Sequence, residues 1–311
     1  MSCRDSTLNH LKNMNKTTKS NNEKPNQISR DTVCTCQTCN HDLARDCLKT
    51  NCTCCNQESH SMILDGIVGL APISKRHGNY TEVRSVLVSI DSIKLHGDLT
   101  IPKNAEGIVL FAHGSGSSRH SPRNKYVAQV LQKSGLATFL LDLLTEEEEK
   151  VDNYTAHLRF NIELLAKRLA GATNWITKNP DTKNLNIGYF GASTGAAAAL
   201  VASVDCSNII KAIVSRGGRP DLAGSALPRV KAPTLLIVGG NDGPVIEMNE
   251  EALNLLKIEK KIVIIPDATH LFEELGTLEE VAQLGADWFV NHLTKTKNLL
   301  KSKKETTVGI Q

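Results

Sequence analysis

Residues 185–203 read LNIGYFGASTGAAAALVAS, and the organisation of the chain follows from how this stretch must fold. LNIGYF is a short, almost wholly apolar run, as expected of a strand buried on both faces. The alanine-rich run from residue 195 onward favours helix. Between them lies Gly191-Ala192-Ser193-Thr194-Gly195, a G-x-S-x-G at a strand-to-helix turn. The flanking glycines permit a tight, strained turn that lifts the serine hydroxyl clear of the backbone. The helix that follows presents free N–H groups and the positive end of its dipole to the same place.

The same alternation extends in both directions. Strands are expected at 84–91, 94–101, 107–112, 136–142, 185–190, 209–215, 234–239 and 261–265, and helices at 123–134, 154–178, 194–204, 246–257 and 277–293. From residue 107 onward the strand runs are continuously apolar, and intervening helices imply right-handed crossovers in a parallel sheet. The first two runs are closer together and more polar, which predicts an antiparallel hairpin at the sheet edge. The expected fold is therefore α/β, a mostly parallel sheet with helices on both faces. In such sheets ligands bind beyond the carboxyl ends of the strands, so reactive residues should follow strand runs.

A serine hydroxyl needs a base, and the base needs an orienting carboxylate. Asp242 follows the strand TLLIVGG and His270 follows the strand KIVII, giving the chain order Ser193, Asp242, His270. His41 and His60 lie in a Cys-rich segment, His77 in a linker, and His157 and His292 on expected helices, so they compete poorly. Asp267, three residues from His270, reads as a turn former. Two backbone N–H groups should bind the developing oxyanion: that of Thr194, and one from the loop His113-Gly114-Ser115-Gly116-Ser117 after the third strand, assigned to Ser115. Gly114, Arg119 and Arg216 are expected to contact substrate. Arg119, Arg123, Arg216 and Arg219 could together favour an anionic substrate, although salt bridges to loop acids such as Asp221 explain surface arginines equally well. Only a short segment separates the strands at 209–215 and 234–239, too short for a helical cap, so an open site is expected. Glu146 to Glu149 read as a solvated start of a helix, and Cys206 as a packed core residue.

The motifs HGSGSSRHSPRN, GASTGAAAAL, SRGGRPDL, APTLLIVGGNDGPV and ATHLFEE occur together and in order, and over residues 83–293 the chain resembles dienelactone-hydrolase-like members of the α/β-hydrolase superfamily. The resemblance implies an α/β-hydrolase fold without a large cap. It also implies cofactor-free cleavage of a small ester, lactone or related acyl compound. Dienelactone hydrolases carry cysteine at the nucleophile position, where this chain has Ser193. Transfer of the acyl group to an alcohol or thiol by the same residues is an alternative. A further one is a non-catalytic scaffold whose Cys-rich arm carries the function.

Composition bounds the remainder. Of 311 residues, 40% are hydrophobic and 22% charged, with a net charge of +3, which gives no reason to invoke nucleic acid or a membrane as partner. Neither an apolar leader nor an 18-residue apolar run is present, and a cytoplasmic location is the expectation. The oligomeric state is left open. Residues 1–30 are polar and expected to be disordered, 61–82 a linker, 83–294 the α/β domain, and 295–311 a basic tail. Eight of nine cysteines fall in the first 55 residues. In the arm at 31–60, Cys34, Cys36, Cys39, Cys47, Cys52, Cys54 and Cys55 are candidate ligands of a structural zinc. Redox thiols and an unstructured leader are the alternatives.

Overall fold

The computed structural model describes residues 82–294. The expected leader, Cys-rich arm and basic tail lie outside the described residues, and so do the seven candidate zinc-ligand cysteines. Among the described residues there are eight strands: β1 (Val83–Ile90), β2 (Ile93–Thr100), β3 (Gly107–Ala112), β4 (Ala137–Leu141), β5 (Asn186–Ala192), β6 (Ile210–Arg216), β7 (Thr234–Gly239) and β8 (Lys260–Ile265). They form one sheet in the order β1-β2-β4-β3-β5-β6-β7-β8. β1 and β2 pair as an antiparallel hairpin over a turn at Asp91, and β2 pairs antiparallel with β4. Every other pairing is parallel.

Six α-helices lie among the described residues: α1 (Pro122–Lys133), α2 (Glu146–Thr155), α3 (Ile162–Lys178), α4 (Thr194–Asp205), α5 (Gly243–Leu255) and α6 (Thr277–Leu293). Alternation along β3 divides the core. Ile108, Leu110 and Ala112 join the cluster that packs on α3 and α4, while Val109 and Phe111 join the one on α1 and α6. All six β3 residues are buried, which is why its sequence shows no polar alternation. The edges are different: β1 and β8 are largely exposed, and β8 opens with Lys260 and Lys261, charges that discourage pairing with another chain.

One expected helix is two. The run at 154–178 is broken: α2 ends at Ala156, in the left-handed region with φ 55°, and α3 starts after the Asn161 cap. The cause is Asp152, buried near the end of α2. Its carboxylate accepts from the Leu158 N–H at 2.7 Å and from Arg159 Nε at 2.5 Å, while Arg159 Nη2 donates to its carbonyl. Burial alone would raise the Asp152 carboxyl, but these donors hold it below the usual carboxylate range. The Glu146–Glu149 run opens α2 as a capping box between Thr145 and Glu148, and Glu148 also receives Arg168 Nη2 at 2.7 Å. Between β6 and β7 the chain forms only a 3-10 segment, Pro220–Arg229.

β3 lies between β4 and β5, and the connections leaving β3 (to β4) and its neighbour β5 (to β6) run in opposite directions. This is the switch point at which an α/β sheet opens a crevice at its carboxyl edge. Removing the buried Asp152 charge should uncover what the helix break depends on. Asp152→Ala is expected to cost about 3–5 kcal/mol in urea unfolding, because it leaves Arg159 without its partner. The double variant Asp152→Ala, Arg159→Leu should lose less than the single one; an equal or larger loss would contradict this account.

Candidate active site

Ser193 occupies the single residue between β5 and α4, with φ 50° and ψ −122°. A non-glycine residue in this conformation is strained, by roughly 1–3 kcal/mol, and persists only where its surroundings fix it. Here both flanks are fixed by close packing. A Cβ on Gly195 would lie 2.2 Å from the Ala112 carbonyl oxygen, and one on Gly191 would lie 2.4 Å from Ala196 Cα. The serine backbone is also tied to the neighbouring strand: its N–H donates to the Arg216 carbonyl at 3.2 Å, and its carbonyl accepts from Arg219 N–H at 3.1 Å.

Asp242 follows β7 and His270 follows β8, and their loops are joined by the Asn241 N–H, which donates to the Ala268 carbonyl at 2.9 Å. The side chains meet: His270 Nδ1 and Asp242 Oδ2 stand 2.6 Å apart, with Asp242 mostly buried and His270 about one third exposed. Such a contact holds the imidazole with its proton on Nδ1 and leaves Nε2 free to accept. Gly217, just after β6, lies against the His270 ring and carbonyl, where a Cβ would come within 3.6 Å of Cε1. No hydrogen bond joins Ser193 to His270. Asp267 takes a positive φ of 59° and accepts from Asn241 Nδ2 on its carbonyl, as a turn residue would. His157 and His292 lie elsewhere, engaged with Thr155 and with Trp288 and Glu259.

The loop after β3 runs beside Ser193. Gly114 approaches Ser193 so closely that a Cβ would stand 3.0 Å from the serine Cβ. Ser115, Thr194 and Gly114 line a small cavity of about 50 Å³, whose lining also includes Glu149, Asp152 and Arg159. His113 anchors this loop. Its Nδ1–H donates to the Gly114 carbonyl at 2.9 Å, and its Nε2 accepts the Leu143 N–H at 3.1 Å. Burial pushes the His113 imidazole below its usual value, which keeps it neutral and suited to that pair of bonds. His113 was not among the expected site residues. Its position directly after β3 and before a glycine was the signal available.

The arginines separate into two kinds. Arg119 is committed to Asp142, through its backbone N–H at 2.7 Å and its guanidinium, and lies near Asp98. Arg219 makes a two-pronged pair with Asp221 at 2.9 and 2.7 Å. Arg216 is buried and reaches no carboxylate. Among the described residues no group of three or more His, Cys, Asp or Glu side chains is placed to hold a metal ion, and no helix is long and apolar enough to cross a membrane. Cys206 is buried, as the sequence suggested, and burial raises its thiol.

Comparison with known proteins gives a consistent result. Residues 95–294 match the model of the dienelactone hydrolase family. The crystal structure of a dienelactone hydrolase from Anabaena variabilis is 64% identical, with a TM-score of 0.68, and the match covers 69% of this chain and 99% of that one. Est1E from Butyrivibrio proteoclasticus, 17% identical with a TM-score of 0.56, shares the fold; the match covers 67% of this chain and 98% of that one. A curated protein of Mycobacterium tuberculosis strain H37Rv, whose name proposes a phosphoribosyl transferase, is 56% identical over 208 residues. That match covers 67% of this chain, and the chain spans less than half the length, 46%, of this relative. With an eight-stranded sheet of α/β-hydrolase type and a family match over most of its length, the chain belongs to the dienelactone hydrolase family.

Proposed function

We propose that this chain is a serine hydrolase that cleaves a carboxylic ester, lactone or thioester of a small substrate through an acyl-enzyme. The observation that carries the reading is the 2.6 Å contact of His270 Nδ1 with Asp242, on loops at the same carboxyl edge of the sheet as a serine held at positive φ. In the first step His270 Nε2 takes the Ser193 proton as Oγ attacks the acyl carbon. Asp242 keeps the tautomer and stabilises the imidazolium. The imidazolium then protonates the departing alcohol, thiol or ring oxygen as the acyl–oxygen or acyl–sulfur bond breaks. Water, deprotonated by His270, attacks the acyl-enzyme and releases the acid and free Ser193.

The oxyanion formed in both steps is assigned to the N–H groups of Thr194 and Ser115. Thr194 opens α4, where its N–H is among those without a partner in the helix. The Ser115 N–H belongs to the same peptide unit as the Gly114 carbonyl. In a planar trans peptide the two point in opposite directions. His113 Nδ1–H and Ser117 N–H both hold the Gly114 carbonyl, at 2.9 and 3.2 Å, so together they fix the direction of the Ser115 N–H.

An acyltransferase would use the same residues and differ only in the acceptor. The transferase name of the mycobacterial relatives does not favour that reading, because phosphoribosyl transfer breaks a different bond and this chain spans less than half of those proteins.

Hydrolysis of p-nitrophenyl acetate tests the assignment. Ser193→Ala and His270→Ala should each lower kcat by about 10³-fold or more, and Asp242→Asn by about 10²–10⁴-fold, with circular dichroism unchanged. Full turnover by Ser193→Ala would remove the mechanism. His113 supplies a separate pH prediction. Its folded-state value lies below the ordinary 6.5, so the unfolded chain binds the proton more readily. The stability from neutral His113 is complete above 6.5 and is lost as the pH falls from there toward the folded value. Urea midpoints should therefore fall on acidification through that window, and fall less steeply in His113→Asn; identical slopes would contradict a neutral, buried His113.

A further inference from the structure

On α5 a buried amide stands where helix periodicity calls for an apolar side chain. The buried face is Val245, Asn249, Ala252 and, just past the helix, Leu256, and Asn249 is wholly inaccessible to solvent. Asparagine is a weak helix former, and an amide in an apolar interior costs free energy unless its hydrogen bonds are made. Only its donors are served. Nδ2 donates to the Val245 carbonyl at 2.7 Å, one turn back, and to the Gly218 carbonyl at 3.0 Å, on the loop after β6. Oδ1 is buried with no partner. Leucine is of similar size and would fill the position without leaving an acceptor bare, so packing does not account for an amide here.

The Gly218 carbonyl belongs to the same peptide unit as the Arg219 N–H, and in a planar trans peptide the two point in opposite directions. The Arg219 N–H donates to the Ser193 carbonyl at 3.1 Å. By holding one side of this peptide, Asn249 sets the direction of a bond that ends on the backbone of the proposed nucleophile. That bond acts on the Ser193 ψ of −122°, in a residue whose φ of 50° has to be fixed by its surroundings. The loop has no slack elsewhere. A Cβ on Gly218 would lie 1.9 Å from Ser215 Oγ and 2.7 Å from Ala196 Cβ, and the Gly217 N–H donates to the Ile237 carbonyl at 2.8 Å.

The helix that carries Asn249 begins at Gly243, directly after Asp242, whose carboxylate meets His270 Nδ1. Asn249 stands about two turns further along the same helix. One rigid element therefore carries the orienting carboxylate at its start and reaches the Ser193 backbone from its middle. We propose that Asn249 is a positioning residue: through the Gly218–Arg219 peptide it ties α5 to Ser193 and sets the spacing between the nucleophile and the Asp242–His270 pair. It touches neither substrate nor the reacting atoms. This rests on the hydrolase reading and adds to it a residue that acts through the backbone of another.

Asn249→Leu removes the donors at nearly constant size. With p-nitrophenyl acetate it should lower kcat about 10- to 100-fold and leave KM within about 3-fold, because attack depends on the alignment of Ser193 and binding does not. Labelling of Ser193 by a fluorophosphonate should slow by a similar factor. Thr173→Val removes a buried hydroxyl bonded to Leu169 and Tyr189; it is the reference for lost stability and should keep the wild-type kcat. Asn249→Gln and Asn249→Met form a second pair, equal in length and differing in the amide. Asn249→Gln should retain at least about 5-fold more kcat than Asn249→Met, and this pair decides the matter if Asn249→Leu does not fold. A kcat for Asn249→Leu within about 2-fold of wild type, a loss matched by Thr173→Val, or equal kcat in Asn249→Gln and Asn249→Met would overturn the positioning role and leave the hydrolase reading standing. Failure of both members of the pair to fold would make Asn249 a purely structural residue and overturn the role as well. A folded wild type that neither turns over the ester nor is labelled at Ser193 would overturn the hydrolase reading and the positioning role with it.

Discussion

Between Ala192 and Thr194 the chain passes from a central strand into a helix through one residue, and neither flanking glycine has room for a side-chain carbon. The Ala112 and His113 carbonyls press against Gly195, and α4 presses against Gly191. This close approach brings the end of β3 and the start of α4 together, and so brings the Gly114–Ser115 peptide to the serine. It also holds Ser193 at a positive φ that a relaxed turn would avoid. The two hydrophobic layers, built on alternate residues of β3, give the strands a rigid frame in which that strain can persist.

Charge around the carboxyl edge is handled locally. Asp152, Asp142 and Asp221 each receive an arginine, and Asp242 receives His270. His113 is kept neutral and used as a connector between two backbone segments. Among the described residues the other buried guanidinium, Arg168, has Glu148 as its partner, whereas Arg216 reaches no carboxylate.

Much of this was legible in the sequence, for physical reasons. The strands declared themselves because parallel strands buried on both faces leave continuous apolar runs, and Ser193, Asp242 and His270, each just after a strand run, were expected at one edge of the sheet. The break between α2 and α3 was not legible. It depends on Asp152 collecting donors from six and seven residues ahead, and periodicity does not register a side chain that competes with the helix. The pairing of Arg119 with Asp142 was equally hidden, since the two lie on different strand-end loops and meet only after β3 and β4 are side by side. For the same reason the sequence could rank four arginines as equivalent, whereas packing makes only one of them both buried and without a carboxylate. The Cys-rich arm keeps its open readings, lying outside the described residues.

The central claim is that Ser193 is an activated nucleophile. Fluorophosphonate labelling followed by peptide mass spectrometry tests it most directly, because the adduct reports both reactivity and position. The account predicts a single adduct on the peptide containing Ser193, lost when His270 is replaced by alanine. A folded protein that remains unlabelled, or one labelled equally well without His270, would contradict it.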